Sequence, residues 1–349
     1  MPHQHHEAFD PNTLTNTSYG FFTNERGSST GGYVVNGEGT RNVNIYSPQE
    51  SDKAGYDPAI SVIGNLMACF KELTHGQEHA AHTHQFLMTS NYGKSGARIL
   101  TCRDARELTE LKKLAESETS VLELHANIQT ELQGNGVCTL KADALVFKGI
   151  PGEFIAAGGA SGDAHPIILI DDANKVCAYI SGAHAALKEG VIEKTIQAML
   201  STGARHNNIH MMIGPGLGKN SYEFGLMKSN GEDITPDEYL NVPRDKVLKV
   251  SDPKCRDKWL VDIEKLVAFK AMGMLPRENV HNMDIDTMGF DLYHNGTRRE
   301  VIDFEELDRK GILFFGARRT IMKKEGVAAQ NPGTHNTVGR HFAGITLKG

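Results

Sequence analysis

The stretch SGDAHPIILIDDANKVCAYISGAHAALKEGVIEKTI, Ser161–Ile196, decides how the rest of the chain is read. Two apolar runs, Ile167–Ile170 and Val176–Ile180, are separated by the turn-forming Asp-Asp-Ala-Asn, which predicts two strands of a buried sheet. The spacing after them predicts an amphipathic helix over Lys188–Leu200. Histidines stand at both borders of the unit, His165 before the first strand and His184 at the helix entrance.

Outward from this unit, "ADALVFKGIPGEFIAAGG" predicts strand, Pro-Gly turn and strand, and His210–Ile213 a further strand before the loop "GPGLGKNSYEFG". "SVLELHANIQTEL" alternates around His125 and predicts a strand. "DARELTELKKLAES" has an N-cap Asp104 and leucines at helical spacing, and "DKWLVDIEKLVAFKAMGM" predicts a second helix with Ile263, Leu266, Val267 and Met272 on one side. "FEELDRKG" predicts a short helix between Asp303 and Gly311. Strands and helices alternate without a strict βαβ rhythm, so a mixed-sheet α/β fold is expected rather than a doubly wound one. The domain reading is a disordered polar tail over 1–17 and a single domain over 18–349, with an insert around 47–85.

At 349 residues, 39% hydrophobic and 23% charged, the chain has the composition of a soluble globular protein. A net charge of −6, without basic blocks, argues against nucleic acid and anionic membranes as partners. No apolar run reaches the length of a membrane span, and the N-terminus lacks the pattern of a secretory signal. The five cysteines are scattered, with no CxxC, which fits a reducing cytoplasm better than a disulfide scaffold.

Several constellations carry possible chemistry. His75, Glu78 and His79 have the H-x-x-E-H spacing of an inverted zincin, in which two imidazoles one helical turn apart hold zinc. The surrounding segment is thin and polar, and a solvated His-rich surface is the plainer reading. Gly214, Gly216 and Gly218 follow a strand as a phosphate-cradling loop would, but the Walker lysine-hydroxyl pair is missing and Pro215 removes one donor. A tight turn is the plainer reading here too. Arg318, Arg319 and Arg340 offer guanidinium forks for phosphate or carboxylate. His125, His165 and His184 occupy three predicted strand ends, where a metal site could be built, and Asp163 could orient one of the imidazoles.

Read in order, these pieces resemble the YfiH-like laccase-domain family, also called polyphenol oxidase or purine nucleoside phosphorylase proteins. "ELHA … ADALVF … PG … GDAHP … SGAHAA … EGVI" is similar to the family's "QVHG … ADALVT … PG … ADC-x-P … HAGWRG … G-V-I". "GPGLG…YEFG", "WLVDI", "FFGARR … TVGR" and "TSNYG" with Asn91 resemble further family motifs, and "DT" at Asp286 and Thr287 resembles a family "CT". The similarity covers most of 86–349. It implies an α+β fold, a mixed β-sandwich core flanked by helices in α-β-β-α layers. It also implies one zinc bound by two His and one Cys at the sheet end, and purine nucleosides cleaved with phosphate or deaminated.

On that resemblance His125 keeps the first ligand position, while the family's Cys falls on Ala164 and its second ligand His on Ser181. Two accounts follow. In one, His165 and His184 replace the lost ligands, so that His125, His165 and His184 hold the zinc. In the other, the metal chemistry is gone, leaving a catalytically silent protein that binds a ligand or partner, or a purine-like pocket working another way. The candidate catalytic residues are His125, Asp163 and Ser181. Asn91, Arg318, Arg319 and Arg340 are the candidate anion binders for a small-molecule substrate.

Overall fold

The computed structural model describes residues 14–22, 59–76, 80–89, 96–118, 126–224, 226–227, 233–250, 259–288, 291–294, 297–299, 302 and 341–349. The first elements are β1 Thr17–Phe22, α1 Ala59–Leu73, β2 Thr83–Thr89, β3 Ile99–Cys102, α2 Ala105–Ser117 and α3 Ala126–Gly134. Next come β4 Val137–Lys141, β5 Ala144–Lys148, β6 Phe154–Ser161, β7 His165–Asp171 and β8 Val176–Gly182. Then follow α4 His184–Lys188, α5 Val191–Thr202, β9 His210–Ile213, β10 Glu223–Phe224, β11 Leu226–Met227, β12 Asp233–Ile234, α6 Pro236–Leu240 and α7 Arg244–Val247. The last are β13 Leu248–Val250, β14 Trp259–Val261, α8 Ile263–Ala271, β15 Val280–Asn282, β16 Tyr293–His294, β17 Thr297–Arg298 and β18 His341–Lys348.

Two mixed sheets stack face to face. One has the order β1-β18-β6-β2-β4 and the other β15-β9-β7-β8-β5-β3. Strand alternation sorts the side chains into three layers of core. Ile168 and Ile170 of β7 point between the sheets, where they meet Phe21, Phe86, Ile155, Ile345 and Tyr179. Ile167 and Leu169 point the other way, into a core closed by Ile192, Ile196 and Met199 of α5 and Leu266 and Val267 of α8. On the far side Leu66, Phe70 and Leu73 of α1 and Leu132 of α3 cover Leu87, Ala156 and Phe342. The layers therefore run α, β, β, α, the α+β architecture the resemblance implies.

Local sequence explains the elements and three departures from expectation. Asp104 caps α2 by accepting from Glu107 N at 2.9 Å, and Gly203 at φ 107° closes α5 in the left-handed region. The predicted helix over 188–200 is broken at Gly190, φ 76°, into α4 and α5. Residues 126–134 form α3 rather than the predicted strand, because packing against α1 and β4 overrides the short alternation. The segment from Trp259 begins as strand β14, paired with β10 and β13, and only then turns helical at the Asp262 cap. Met272 consequently lies past the helix end and is 65% exposed instead of joining the apolar side. The predicted helix after Asp303 lies outside the described residues.

Candidate functional site

One end of the sandwich carries the described candidates Asp163, His165, Ser181 and His184. β6 stops at Ser161, whose Oγ donates to Ala164 O and so tightens the turn before β7. At the same end β8 finishes, with Ser181 opposite Pro166 and Gly182 opposite His165. β9 leads here into the Gly214–Gly218 loop, and β18 begins with His341 opposite Ser161.

The ladder decides which way each side chain faces. β7 and β8 pair without interruption from His165↔Gly182 to Asp171↔Val176, with no bulge. His165 therefore shares its face with Ile167 and Leu169, toward the α5 and α8 layer, while Ser181 and Pro166 share the face between the sheets. The His165 ring is fully buried, its Nδ1 2.9 Å from Gly214 O and its Nε2 3.1 Å from Leu217 O. Burial holds its pKa below the usual imidazole range, against the pull of the two carbonyls and of Asp286 and Asp262. A neutral imidazole donates through one nitrogen only, and here both nitrogens already face a carbonyl oxygen. As placed, His165 turns no lone pair toward a metal.

The glycine loop is built around that ring. A Cβ on Gly216 would lie 2.5 Å from the His165 ring, and one on Gly214 would lie 2.1 Å from Phe21. Its amides are taken: Gly214 N donates to Pro166 O, Gly216 N to Ile285 O and Leu217 N to Asp163 O. Gly218 N donates to Asp286, which also accepts from Ser221 Oγ at 2.7 Å and from Met288 N at 2.9 Å. Pro215 has no N–H. The loop is a cage for a histidine, not a phosphate cradle.

Beside the cage, Glu264 of α8 lies 4.0 Å from His165 Nδ1 and accepts from Asn282 Nδ2 at 2.6 Å. Burial, together with Asp284, Asp262 and Asp286, pushes its pKa up to about 7. His184 opens α4, half-buried, with Nδ1 3.0 Å from Tyr222 Oη and its ring against Phe224 and Tyr239. Asp163 contributes its carbonyl to the loop. Among the described residues no group of three or more His, Cys, Asp or Glu is placed to hold a metal ion together. Burial also pushes the Cys102 thiol up to about 12 and the Cys177 thiol well above its usual value, so neither supplies a thiolate.

His125, Asn91, Arg318, Arg319 and Arg340 lie outside the described residues, as do Glu78 and His79. His75 is described and sits past the end of α1 at φ 53°, bonded through Nε2 to Ser18 Oγ at 2.9 Å. It is off the helix an inverted zincin needs, because α1 ends at Leu73. Two residues at the sheet end escaped the sequence reading. Glu264 gave no signal beyond a first-turn acid. His341 is buried on the face between the sheets, legible only as the first member of the alternation His341, Ala343, Ile345, Leu347.

Comparison with known proteins gives the family and the fold. A family model described as multi-copper polyphenol oxidoreductase laccase matches residues 96–297. The structure is similar to that of YlmD from Geobacillus stearothermophilus, with TM-score 0.55 and 13% identity over 96% of this chain and 93% of that one. It is also similar to Bacillus licheniformis hypothetical protein YfiH, with TM-score 0.54 and 12% identity over 95% and 93%. A curated purine nucleoside phosphorylase of Deinococcus radiodurans is 38% identical over 88 residues, 24% of this chain and 32% of that protein. No helix among the described residues is long and apolar enough to cross a membrane.

Proposed function

The chain belongs to the multi-copper polyphenol oxidoreductase laccase family, and from that membership we propose that it binds a purine nucleoside, or a small molecule of that kind, at the sheet end without the family's metal chemistry. The observation that carries this reading is the caging of His165. The resemblance assigns metal ligands to positions 125, 164 and 181; here Ala164 has no donor and Ser181 offers a neutral hydroxyl, a poor zinc ligand. His165, one residue from the lost cysteine, faces the opposite side of the sheet and has both nitrogens against carbonyls. These residues do not fit the metal.

The nucleoside class rests on the phosphorylase relative, whose match is partial. In this reading His125, Asp163 and Ser181 supply hydrogen bonds to the ligand, and Asn91, Arg318, Arg319 and Arg340 hold an anionic group such as phosphate. Calorimetric titration of the chelator-treated protein with inosine and adenosine, with and without phosphate, tests it. Binding that zinc or copper leaves unchanged, without base release or deamination, is expected. Turnover that appears with added metal and disappears on chelation overturns it.

A further inference from the structure

A second histidine cluster lies away from this end, at the outer edge of the six-stranded sheet. His210 opens β9 and His281 is the middle residue of β15, the parallel edge strand beside it. The register His281↔Met212 puts both imidazoles on the side facing the other sheet, since Met211 and Ile213 point into the helix-covered core. His210 Nδ1 and His281 Nε2 are 3.2 Å apart, with ring centroids at 5.5 Å and planes inclined by 15°. Both rings are half-buried.

Two neutral rings meeting nitrogen to nitrogen hold one proton between them. Two nitrogens bound to one tetrahedral zinc ion, each about 2.0–2.1 Å from it, stand about 3.3 Å apart. The two nitrogens are thus already at the spacing of two ligands on one ion. Imidazole suits zinc and copper among the divalent metals. We infer that His210 and His281 form a two-imidazole site for a divalent transition metal, Zn2+ or Cu2+, with water completing the coordination.

Other features of the surroundings agree. Burial keeps both imidazoles below their usual pKa and so favours neutral rings; an ion between them takes the place of the shared proton, which moves to the donor ring's other nitrogen or to water. The Asp171 carboxylate acts on His210 from the neighbouring strand β7 and favours positive charge there. Asp171 is itself fixed by Asn174 and by Arg205 N, in the turn that also carries His206. The site uses none of the residues assigned to the family's centre.

Titration of the full chain with zinc chloride and, separately, copper chloride tests the inference, with His210→Gln and His281→Gln compared by calorimetry. One ion is expected to bind with an affinity that falls at least about tenfold in either variant, since losing a ligand should cost no less than losing a ligand's supporting partner. Equal isotherms for all three proteins overturn it. If a variant fails to fold, proton resonances decide in the unaltered protein. The ring protons of His210 and His281 must broaden first as copper is added, and broadening confined to other histidines, such as those near the N-terminus, overturns it equally.

Discussion

The Glu264 carboxyl is the residue where burial costs most visibly. In the unfolded chain it titrates near its ordinary 4.5; in the fold it holds its proton to about pH 7. Between those values the native state binds more protons than the unfolded state, so stability falls as pH rises, and above 7 the whole penalty is present. A shift of that size is worth at most about 3 kcal/mol. His165 acts in the opposite sense. Its pKa is lowered in the fold, so its contribution is lost as pH falls below the unfolded imidazole value. Glu264→Gln keeps an oxygen for Asn282 and removes the acid. Urea denaturation is expected to show the variant more stable by about 1–3 kcal/mol at pH 8 and equal to the unaltered protein below about pH 4.5. A gain independent of pH would mean that Glu264 is not held protonated. None of this was legible in the sequence, because a first-turn glutamate reads the same whether its helix faces solvent or three aspartates.

At the scale of elements, the glycine loop shows what a motif conceals. Glycine after a strand is compatible with a phosphate cradle or with close packing, and the sequence does not say which. The fold answers through donors: Gly214, Gly216, Leu217 and Gly218 all spend their N–H groups inside the protein. In a proton–nitrogen spectrum, millimolar phosphate is expected to leave those four amides unmoved, and their exchange with deuterium is expected to be slow. Shifts centred on them would restore the phosphate reading. The strand pair of β7 and β8 was legible because apolar runs and a turn define it locally. The helix over 126–134 and the strand at Trp259 were not, since the first depends on packing against the distant α1 and the second on pairing with β10 and β13, which its own short apolar run does not reveal.

For the whole molecule, two stacked mixed sheets between helical layers are the part the sequence carried furthest, through ordered motifs spread over most of the chain. The coordination sphere that the resemblance implies at their end was legible only as substitutions, Ala164 and Ser181. Whether His165 compensates was a question of strand direction. A regular ladder with no bulge turns that ring into the helix-covered core, where the loop after β9 closes over it. What the fold supplies is therefore a shaped end to the sandwich, and it is the chemistry available there that we propose has changed.

Anomalous diffraction at the zinc edge from crystals equilibrated with zinc locates any bound ion directly. The account predicts no anomalous peak within about 3 Å of residues 163–165 or of Ser181, well beyond zinc–ligand bond lengths. A full-occupancy peak there, bonded to His125 or to a re-oriented His165, would contradict it.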